Sequence, residues 1–399
     1  MQKAQSAEAS RAESDVVVQL RALWRRYEHH CKQTDSCPSA VLKHDILLNI
    51  DKQEPLRKIT LSFPEYSPSD ALLPSLQPLL MAIRDERYTH AQEFHIWNVS
   101  LKQKDVVELC VLLERTRRTV YPLISLELLD CKLDDLSMEG LSKAASISCL
   151  TTLCLDYTCM GVEGLKCLLS GGLGASRIRS LSLCYCGLGS WSGTLLASFL
   201  TNSSVRELYI NGNELQCGGA TELLRPVAEN SQKIAGNQNE LKSITDAAEL
   251  ISQRSSMMSS MQKKAKSKGK KSKKKQGKTK RSPDMATGPW LARLHMFDNS
   301  IDDTGKEGPN QLTRFMELIC ILVTFSSHLT ELDIGENHIG EDGGKVLLEA
   351  LQERKTAKLS PIKIQVSTRM STETFSSILK SAKELKSGKK RRQKKGKTK

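Results

Sequence analysis

Aromatic residues are scarce in this 399-residue sequence, and it contains no long apolar run. Phe, Trp and Tyr together make up 5% of the chain, so several of them on one surface would be informative. No run of about 18 apolar residues exists, which excludes a conventional membrane-spanning helix, and Met1–Ser10 lacks the apolar core of a secretory signal. We therefore expect an intracellular, soluble chain whose twelve cysteines are reduced and buried.

Motifs that are typical of catalysis or metal binding are also missing. The sequence has no G-x-S-x-G, no H-E-x-x-H and no G-x-x-x-x-G-K-[ST]. The one dense group of histidine and cysteine lacks the paired short spacing of zinc ligands, and its members are His29, His30, Cys31 and Cys37. The sequence therefore predicts no catalytic residue, no cofactor and no metal site, although dispersed residues can still converge in space.

Basic charge is concentrated in two segments, so the formal net charge of +14 is misleading. Lys263–Arg281 contains twelve Lys and Arg residues and no acid, and Lys383–Lys399 contains ten with one acid. The remaining residues carry 37 basic and 44 acidic side chains, a net charge of −7. The sequence thus describes a mildly acidic body with two cationic arms, and such blocks are often interaction tails.

One spaced pattern recurs along the body of the chain. It places apolar residues at offsets 0, 3, 5 and 10, with Asn, Cys or Thr at offset 8 in most copies. Strong copies begin at Leu123, Leu150, Ile178, Val205, Leu291 and Leu329. Weaker copies begin at Leu56, Ala91 and Leu359, the last with Ile362 and Ile364 as its apolar pair. The first four strong copies are spaced by 27, 28 and 27 residues, so each copy is one structural unit.

Each position of the pattern has a physical role. An alternating pair such as Leu126 and Leu128 buries one face of a short strand, and stacked repeats join these strands into a parallel sheet. The polar residue at offset 8 can satisfy backbone groups of the neighbouring repeat. The segments that begin at Gly161 and Gly343 show apolar residues at helical spacing. Strands inside and helices outside predict a horseshoe.

The residues that carry this pattern resemble the ribonuclease-inhibitor-like class of leucine-rich repeats, over roughly Leu56–Lys386 without the insertion. The resemblance implies an α/β leucine-rich-repeat solenoid with a parallel concave sheet, outer helices and about nine repeats. Ribonuclease inhibition does not follow, because the family shares architecture and not partners. The lysine-rich break and basic tail are also similar to a vertebrate ciliary branch of these proteins, which implies a ciliary or microtubule-associated setting.

The spacing also divides the chain into segments. Val205 and Leu291 lie 86 residues apart, so about 58 residues are inserted between two repeats, and the insertion should leave the stack intact. Asp15–Gln33 predicts an amphipathic helix that either caps the first repeat or binds a partner. The predicted segments are a cap and linker over 1–50, repeats over 51–229, a disordered lysine-rich insertion over 230–288, repeats over 289–386 and a disordered basic tail over 387–399.

Residues that flank each inward apolar pair should point out of the sheet and form an aromatic and acidic surface. Exposed aromatics anchor protein interfaces, and carboxylates beside them favour a basic partner. The predicted partner-binding residues are Trp97, Glu127, Asp130, Asp156, Tyr157, Tyr185, Tyr209, Phe297, Asp298, Asp333 and Glu336. The alternative is that these carboxylates only keep an exposed sheet soluble.

The cationic arms predict contact with a polyanion, either an acidic protein tail or RNA. The predicted residues are Lys270, Lys271, Lys273, Lys274, Lys275, Lys389, Lys390, Arg391 and Arg392. Neither arm contains an aromatic residue on which bases could stack, and an arm could also fold back over the acidic face. Two functions follow: a non-enzymatic protein-interaction scaffold without integral membrane association, or a nuclear or nucleolar RNA-associated factor. The sequence leaves the oligomeric state open.

Overall fold

The structure, a computed structural model, describes residues 14–63, 72–115, 118–237, 290–304 and 308–393, with side chains up to 383. Nine strands form one parallel sheet in chain order, so every strand pairs with the strands of the repeats before and after it. The strands are β1 Lys58–Ser62, β2 Glu93–Trp97, β3 Ser125–Leu129, β4 Thr152–Cys154, β5 Ser180–Ser182, β6 Glu207–Tyr209, β7 Arg293–His295, β8 Glu331–Ile334 and β9 Lys363–Val366.

Helices connect the strands and cover one face of the sheet, as expected for parallel crossovers. They are α1 Asp15–Gln33, α2 Ala40–Lys52, α3 Leu76–Asp85, α4 Gln103–Leu113, α5 Asp135–Ser146, α6 Gly161–Ser170, α7 Ser192–Thr201, α8 over residues 216–237, α9 Gly308–Phe325, α10 Gly340–Thr356 and α11 Thr372–Gln393. The nine strands and their helices confirm the predicted α/β leucine-rich-repeat solenoid.

The predicted apolar pairs form the core between sheet and helices. Leu126 and Leu128 of β3 have no exposed surface, and the corresponding residues of the other strands are buried with them. The register pairs Leu126 with Leu153, which keeps equivalent residues of successive repeats in line. This stacking buries one continuous core along the whole array, because a single repeat cannot bury its apolar face alone.

The polar residue at offset 8 links adjacent repeats, as the sequence predicts. The Asn213 side chain accepts a hydrogen bond from the Cys186 backbone N–H at 2.9 Å. Its amide nitrogen donates to the Leu183 carbonyl at 2.7 Å and to the Ile210 carbonyl at 3.0 Å. Asn299 and Asn337 make equivalent bonds one and two repeats further on. These buried side chains satisfy backbone groups that the turn would otherwise leave unpaired.

The sheet continues across the insertion. β6 pairs directly with β7, with Leu208 opposite Leu294, and the Asn299 side chain accepts from the Asn213 N–H at 3.2 Å. The prediction that the insertion leaves the stack intact is therefore confirmed. Helix α8 extends to residue 237, beyond the predicted start of the insertion at 230, and residues 238–289 lie outside the described part of the chain.

The last repeat differs from its predicted register by two residues. The sequence placed Ile362 and Ile364 as its apolar pair, but β9 pairs Ile364 with Leu332 and Val366 with Ile334. A shift of two residues keeps the same side chains on the buried face, so apolar alternation alone cannot distinguish the two registers. The prediction that this copy begins at Leu359 was therefore wrong, and its first position falls at Pro361.

Two helices close the N-terminal end. α1 has the predicted bounds, and its buried residues, including Leu20, Leu23 and Tyr27, pack on α2 and α3. The His30 ring bonds to Asp85 of α3 at 2.8 Å, which fixes α1 on the first repeat. These contacts support the capping role of α1. α2 lies in a segment that the sequence analysis treated as cap and linker.

Candidate interaction face

The strand face opposite the helices, here called the concave face, carries most of the predicted partner-binding residues. Register brings side chains of successive strands side by side, so the face consists of rows that run across the repeats. Each row differs in chemistry from its N-terminal to its C-terminal end. The residues group into three clusters and one row of turn residues.

The first cluster is centred on Trp97, the last residue of β2. Its indole N–H donates to the Glu127 carboxylate at 2.6 Å, and the Lys58 ammonium lies 5.8 Å from the centre of its ring. The His95 ring nitrogens lie 3.5 Å from the Glu93 carboxylate and 3.3 Å from that of Glu127. The structure therefore brings the predicted residues Trp97 and Glu127 together, and the hydrogen bond between them restrains both side chains.

A cavity of about 690 Å³ lies beside this cluster, between α2 and the first two strands. Val41, Asp45 and Asn49 of α2 line one side, and Thr60 and Trp97 line the sheet side. The concave face thus begins in a walled pocket with an aromatic residue in it. Sequence reasoning missed this wall because α2 has only a weak amphipathic pattern, with Leu47 and Leu48 exposed.

The second cluster surrounds Asp156. Its carboxylate accepts hydrogen bonds from the Ser182 hydroxyl at 2.7 Å and from the Cys184 N–H at 2.8 Å. Burial and then the charge of Asp156 raise the pKa of the Cys184 thiol to about 11, and the same two causes raise the pKa of Cys154. The two thiols are therefore protonated near neutral pH, and Asp156 serves first to join adjacent repeats.

The third cluster covers β6 to β9. Tyr209 and His295 pack with ring centres 4.7 Å apart, and the His295 ring lies 3.4 Å from the Glu331 carboxylate. Asp333 is buried and accepts from the Gly335 N–H at 2.9 Å and from the Gln365 amide at 3.1 Å. The predicted residue Asp333 is therefore bonded within the sheet, whereas Tyr209 remains half-buried.

A row of alternating charges beside this cluster escaped the sequence analysis. Arg293 lies 3.3 Å from Glu207 and 3.8 Å from Glu331, and Lys363 lies 2.6 Å from Glu331. The hydrogen bond from Lys363 is the main cause that lowers the pKa of Glu331. Three of these residues share one offset before the apolar pair, a signal visible in the sequence, but Lys363 was hidden by the misplaced register of the last repeat.

The residue at offset 7 of the repeat pattern, in the turn after the strand, has a positive φ in seven successive repeats. These residues are Asn98, Asp130, Tyr157, Tyr185, Gly212, Asp298 and Glu336, with φ between 50° and 64°. Their N–H groups continue the sheet ladder, as from Asp130 to the Asp156 carbonyl at 2.9 Å. Gly, Asn and Asp tolerate this left-handed conformation, but a bulky aromatic residue adopts it rarely and at a cost.

Tyr157 and Tyr185 occupy this strained position in adjacent repeats and stack on each other. Their ring centres are 4.9 Å apart and their planes are 7° from parallel. Tyr157 is 47% exposed, and Tyr185 lies against Gly212, where an added Cβ would clash with the tyrosine ring. The two rings form a flat aromatic platform, exposed at Tyr157 and half-buried at Tyr185, at the margin of the concave face.

The predicted carboxylates thus fall into two groups. Glu127, Asp156 and Asp333 bond to neighbouring strands or turns within the face, as described above. Asp130, Asp298 and Glu336 lie at the turn positions and are exposed. Phe297 is half-buried and packs against Gly335. The exposed group is available to a partner, whereas the bonded group chiefly joins the repeats.

The cationic arms cannot be placed. Lys270, Lys271, Lys273, Lys274 and Lys275 lie outside the described residues, as do the side chains of Lys389, Lys390, Arg391 and Arg392. The backbone of α11 continues to Gln393, into the predicted disordered tail. Polyanion binding by these residues remains a prediction.

A family model described as a leucine-rich repeat matches residues 325–348, which span β8 and the first half of α10. Together with the parallel sheet and its helices, this match fits a leucine-rich-repeat family. Folds of this type are generally non-enzymatic binding scaffolds. A search of the curated proteins found no match to the chain. Over the described residues, none of the helices is long and apolar enough to cross a membrane.

Proposed function

We propose that this chain is a non-enzymatic interaction scaffold that binds a protein partner on its concave face, with its basic arms contacting polyanions. The Tyr157–Tyr185 platform carries this proposal. Two aromatic residues take a conformation that Asn, Asp, Gly and Glu336 adopt elsewhere in the row, and strain of this kind concentrates at functional positions. Rigid, exposed aromatic rings are the usual anchors of protein interfaces.

The electrostatics of the face favour a basic partner. Asp130, Asp298 and Glu336 are exposed in the same row of turns as the tyrosine platform. Carboxylates around an aromatic anchor speed the approach of a positively charged surface and discriminate against acidic ones. The pocket beside Trp97 offers a second anchoring position at the N-terminal end of the face. The proposed partner is therefore a protein with basic residues around an apolar contact.

The repeat length and helical backs resemble those of ribonuclease-inhibitor-like repeats. The lysine-rich break and basic tail are similar in layout to leucine-rich-repeat-containing protein 71. This resemblance supports a ciliary or microtubule-associated setting, in which the arms would meet acidic protein tails. The proposal for the setting is independent of the proposal for the concave face.

Affinity purification from intact cells tests whether the solenoid recognises its partners. The full chain is compared with a chain that lacks Lys263–Arg281 and Lys389–Lys399, each with and without nuclease treatment. We expect one discrete set of proteins to persist without the arms and after nuclease. If everything recovered disappears with the arms, the concave-face proposal fails.

The second candidate function is a nuclear or nucleolar RNA-associated factor. Its support is the concentration of 22 basic residues and one acid in the two arms. Under this alternative, deletion of the arms abolishes RNA recovery and nuclear accumulation but leaves the protein partners of the solenoid. Unchanged localisation after deletion would contradict it.

A further inference from the structure

The described loops that follow strands β3 to β8, together with the first residues of the helices after them, form an acidic border along one side of the solenoid. This border, here called the acidic edge, comprises residues 130–136, 156–163, 184–192, 211–218, 297–304 and 335–342. It contains twelve carboxylates and one basic residue, Lys132, if histidine is counted as neutral. The described loops on the opposite side, between α4 and β9, contain six basic residues and one acid. The solenoid is therefore charge-polarised across its width.

Helix geometry explains part of this polarity. Carboxylates favour helix N-termini, and Asp134 accepts a hydrogen bond from the Ser137 N–H at 2.7 Å in the first turn of α5. Asp130 and Glu336, however, lie four or more residues before their helices begin and are exposed. The macrodipole is felt only within the first turn, so it does not account for them.

The acidic edge also carries the two most exposed large apolar side chains of the described residues. Trp191 is 81% exposed and Leu136 is 64% exposed. Both residues occupy the same position, three residues after the last apolar residue of the pattern, in repeats that lie two apart. An exposed tryptophan is costly in water and is the residue most enriched at interface hot spots.

The backbone next to Trp191 is closely packed between two adjacent repeats. Gly193 and Gly219, in the first turns of α7 and α8, approach so closely that a Cβ at either would clash with the backbone of the other repeat. Trp191 lies directly before α7, so it is held on a closely packed pair of helix ends. The backbone that carries Trp191 is therefore ordered before a partner binds, which lowers the entropic cost of binding.

We propose that the acidic edge is a docking surface for a lysine- and arginine-rich segment of a partner protein, with an apolar side chain of that segment packed on Trp191. The inference rests on the proposed scaffold function, shares the exposed turn carboxylates of the concave face, and extends the binding surface from them to Trp191 and the helix N-termini. Charge complementarity selects the occupant, because twelve carboxylates repel nucleic acid and anionic lipid and attract a basic peptide. The exposed apolar residues supply affinity that charge alone does not give.

Fluorescence anisotropy of the full chain with a short labelled peptide of lysine, arginine and leucine tests this surface. Trp191→Ser should weaken binding by about tenfold, the loss typical of an interface hot spot, without changing its salt dependence. Asp130→Asn, Asp298→Asn and Glu336→Gln together should weaken binding and reduce the salt dependence. Asn and Gln keep the size of each side chain, and Asn also tolerates the left-handed backbone.

The matched control removes two exposed carboxylates from the outer helices, by Glu317→Gln and Glu349→Gln. It should change affinity by less than about twofold, because these groups lie away from the acidic edge. If Trp191→Ser and the triple variant behave like this control, the docking surface is refuted. Far-ultraviolet circular dichroism of every variant checks that the fold is retained.

A second comparison separates this inference from the function on which it rests. If cellular partners depend on Tyr157 and Tyr185 but not on Trp191, the scaffold function stands and the acidic edge fails. Repeating the titration without Lys263–Arg281 and Lys389–Lys399 tests the chain's own arms as the occupant. If the peptide binds only after the arms are removed, the arms occupy the edge and the assignment to a partner is overturned.

Discussion

The polar residue at offset 8, one position after the positive-φ residue, is of a different type in the two halves of the solenoid. Cys131, Thr158 and Cys186 occupy it in the first half, and each donates through a single thiol or hydroxyl, as from the Thr158 hydroxyl to the Leu155 carbonyl at 2.8 Å. Asn213 and Asn299 occupy it on either side of the insertion, and each both donates and accepts between repeats. The fold accommodates both types, but only the asparagine side chain both accepts from and donates to the backbone of the preceding repeat.

The asparagine bonds also span the point where the insertion interrupts the repeats. The asparagine bonds keep β6 and β7 in register on either side of the insertion. Loop-closure entropy rises only slowly with length, so a long insertion costs little once the flanking repeats are fixed. The asparagine bonds at the junction therefore help to hold the two repeats that flank the insertion together.

Asn299→Ala should have the largest effect on stability. The change removes bonds to the Asn213 N–H and to the Ile210 and Phe297 carbonyls in a fully buried site. Unsatisfied buried groups cost about 1–3 kcal/mol each, so a loss of roughly 3 kcal/mol in the free energy of unfolding is expected. Urea unfolding followed by circular dichroism measures it. A loss no larger than that for Thr158→Val would remove the distinction between the two halves.

Arg354→Met should be almost as destabilising in the same half. The guanidinium is fully buried and donates to the Val323, Ser326, Leu329 and Ser360 carbonyls at 2.8–3.0 Å. Burial lowers its pKa to about 10, so it remains charged at neutral pH. Methionine restores the volume but no donor, and a loss of about 2–3 kcal/mol is expected in thermal unfolding. An unchanged unfolding temperature would show that the carbonyls find other donors.

Thr158→Val tests the half of the solenoid in which the residue at offset 8 makes fewer bonds between repeats. It removes the hydroxyl that donates to the Leu155 carbonyl but keeps the shape of the side chain. One neutral hydrogen bond contributes about 1 kcal/mol, so the loss of stability should be about a third of that for Asn299→Ala. Parallel urea titrations of the two variants give the ratio directly. Equal losses would mean that the two turn chemistries are equivalent.

Lys363→Met should have the smallest effect and should depend on pH. Lys363 lowers the pKa of Glu331, so its contribution is present above the unfolded pKa of the carboxyl group and is lost as the pH falls through the folded pKa. The pair is partly exposed, which limits the contribution to about 0.5 kcal/mol. The difference in stability between variant and parent should vanish between about pH 5 and pH 3. A difference that persists at low pH would exclude the ion pair as its cause.

Much of the fold follows from the sequence because its spacing is strict. The pattern offsets around Leu126, Leu208 and Leu332 place their strands and turn residues correctly. An alternating apolar pair followed by a polar turn residue can be buried in only one register. The last strand was misplaced because a two-residue shift buries the same face. Helix α2 was missed because its partners lie on α1 and β1, and local periodicity does not report distant contacts.

The candidate site was predictable only in part. The offsets correctly place Trp97, Tyr157 and Asp298 on the sheet or in its turns. They do not show that Asp156 bonds to Cys184 in the next repeat, or that Tyr157 stacks on Tyr185. Trp191 lies outside the strand offsets, so the sequence pattern gave no reason to select it. These properties arise from contacts between repeats, which a pattern within one repeat does not contain.

The most direct test of the scaffold function is quantitative affinity capture from intact cells with Tyr157→Asn and Tyr185→Asn combined. Asparagine relieves the left-handed strain, so the variant should be at least as stable as the parent chain. A matched control replaces two exposed apolar residues on outer helices, by Val107→Ser and Val346→Ser. We expect the tyrosine variant to lose most of the protein set that the control retains. Equal recovery by the parent chain, control and tyrosine variant would contradict partner binding by the Tyr157–Tyr185 platform.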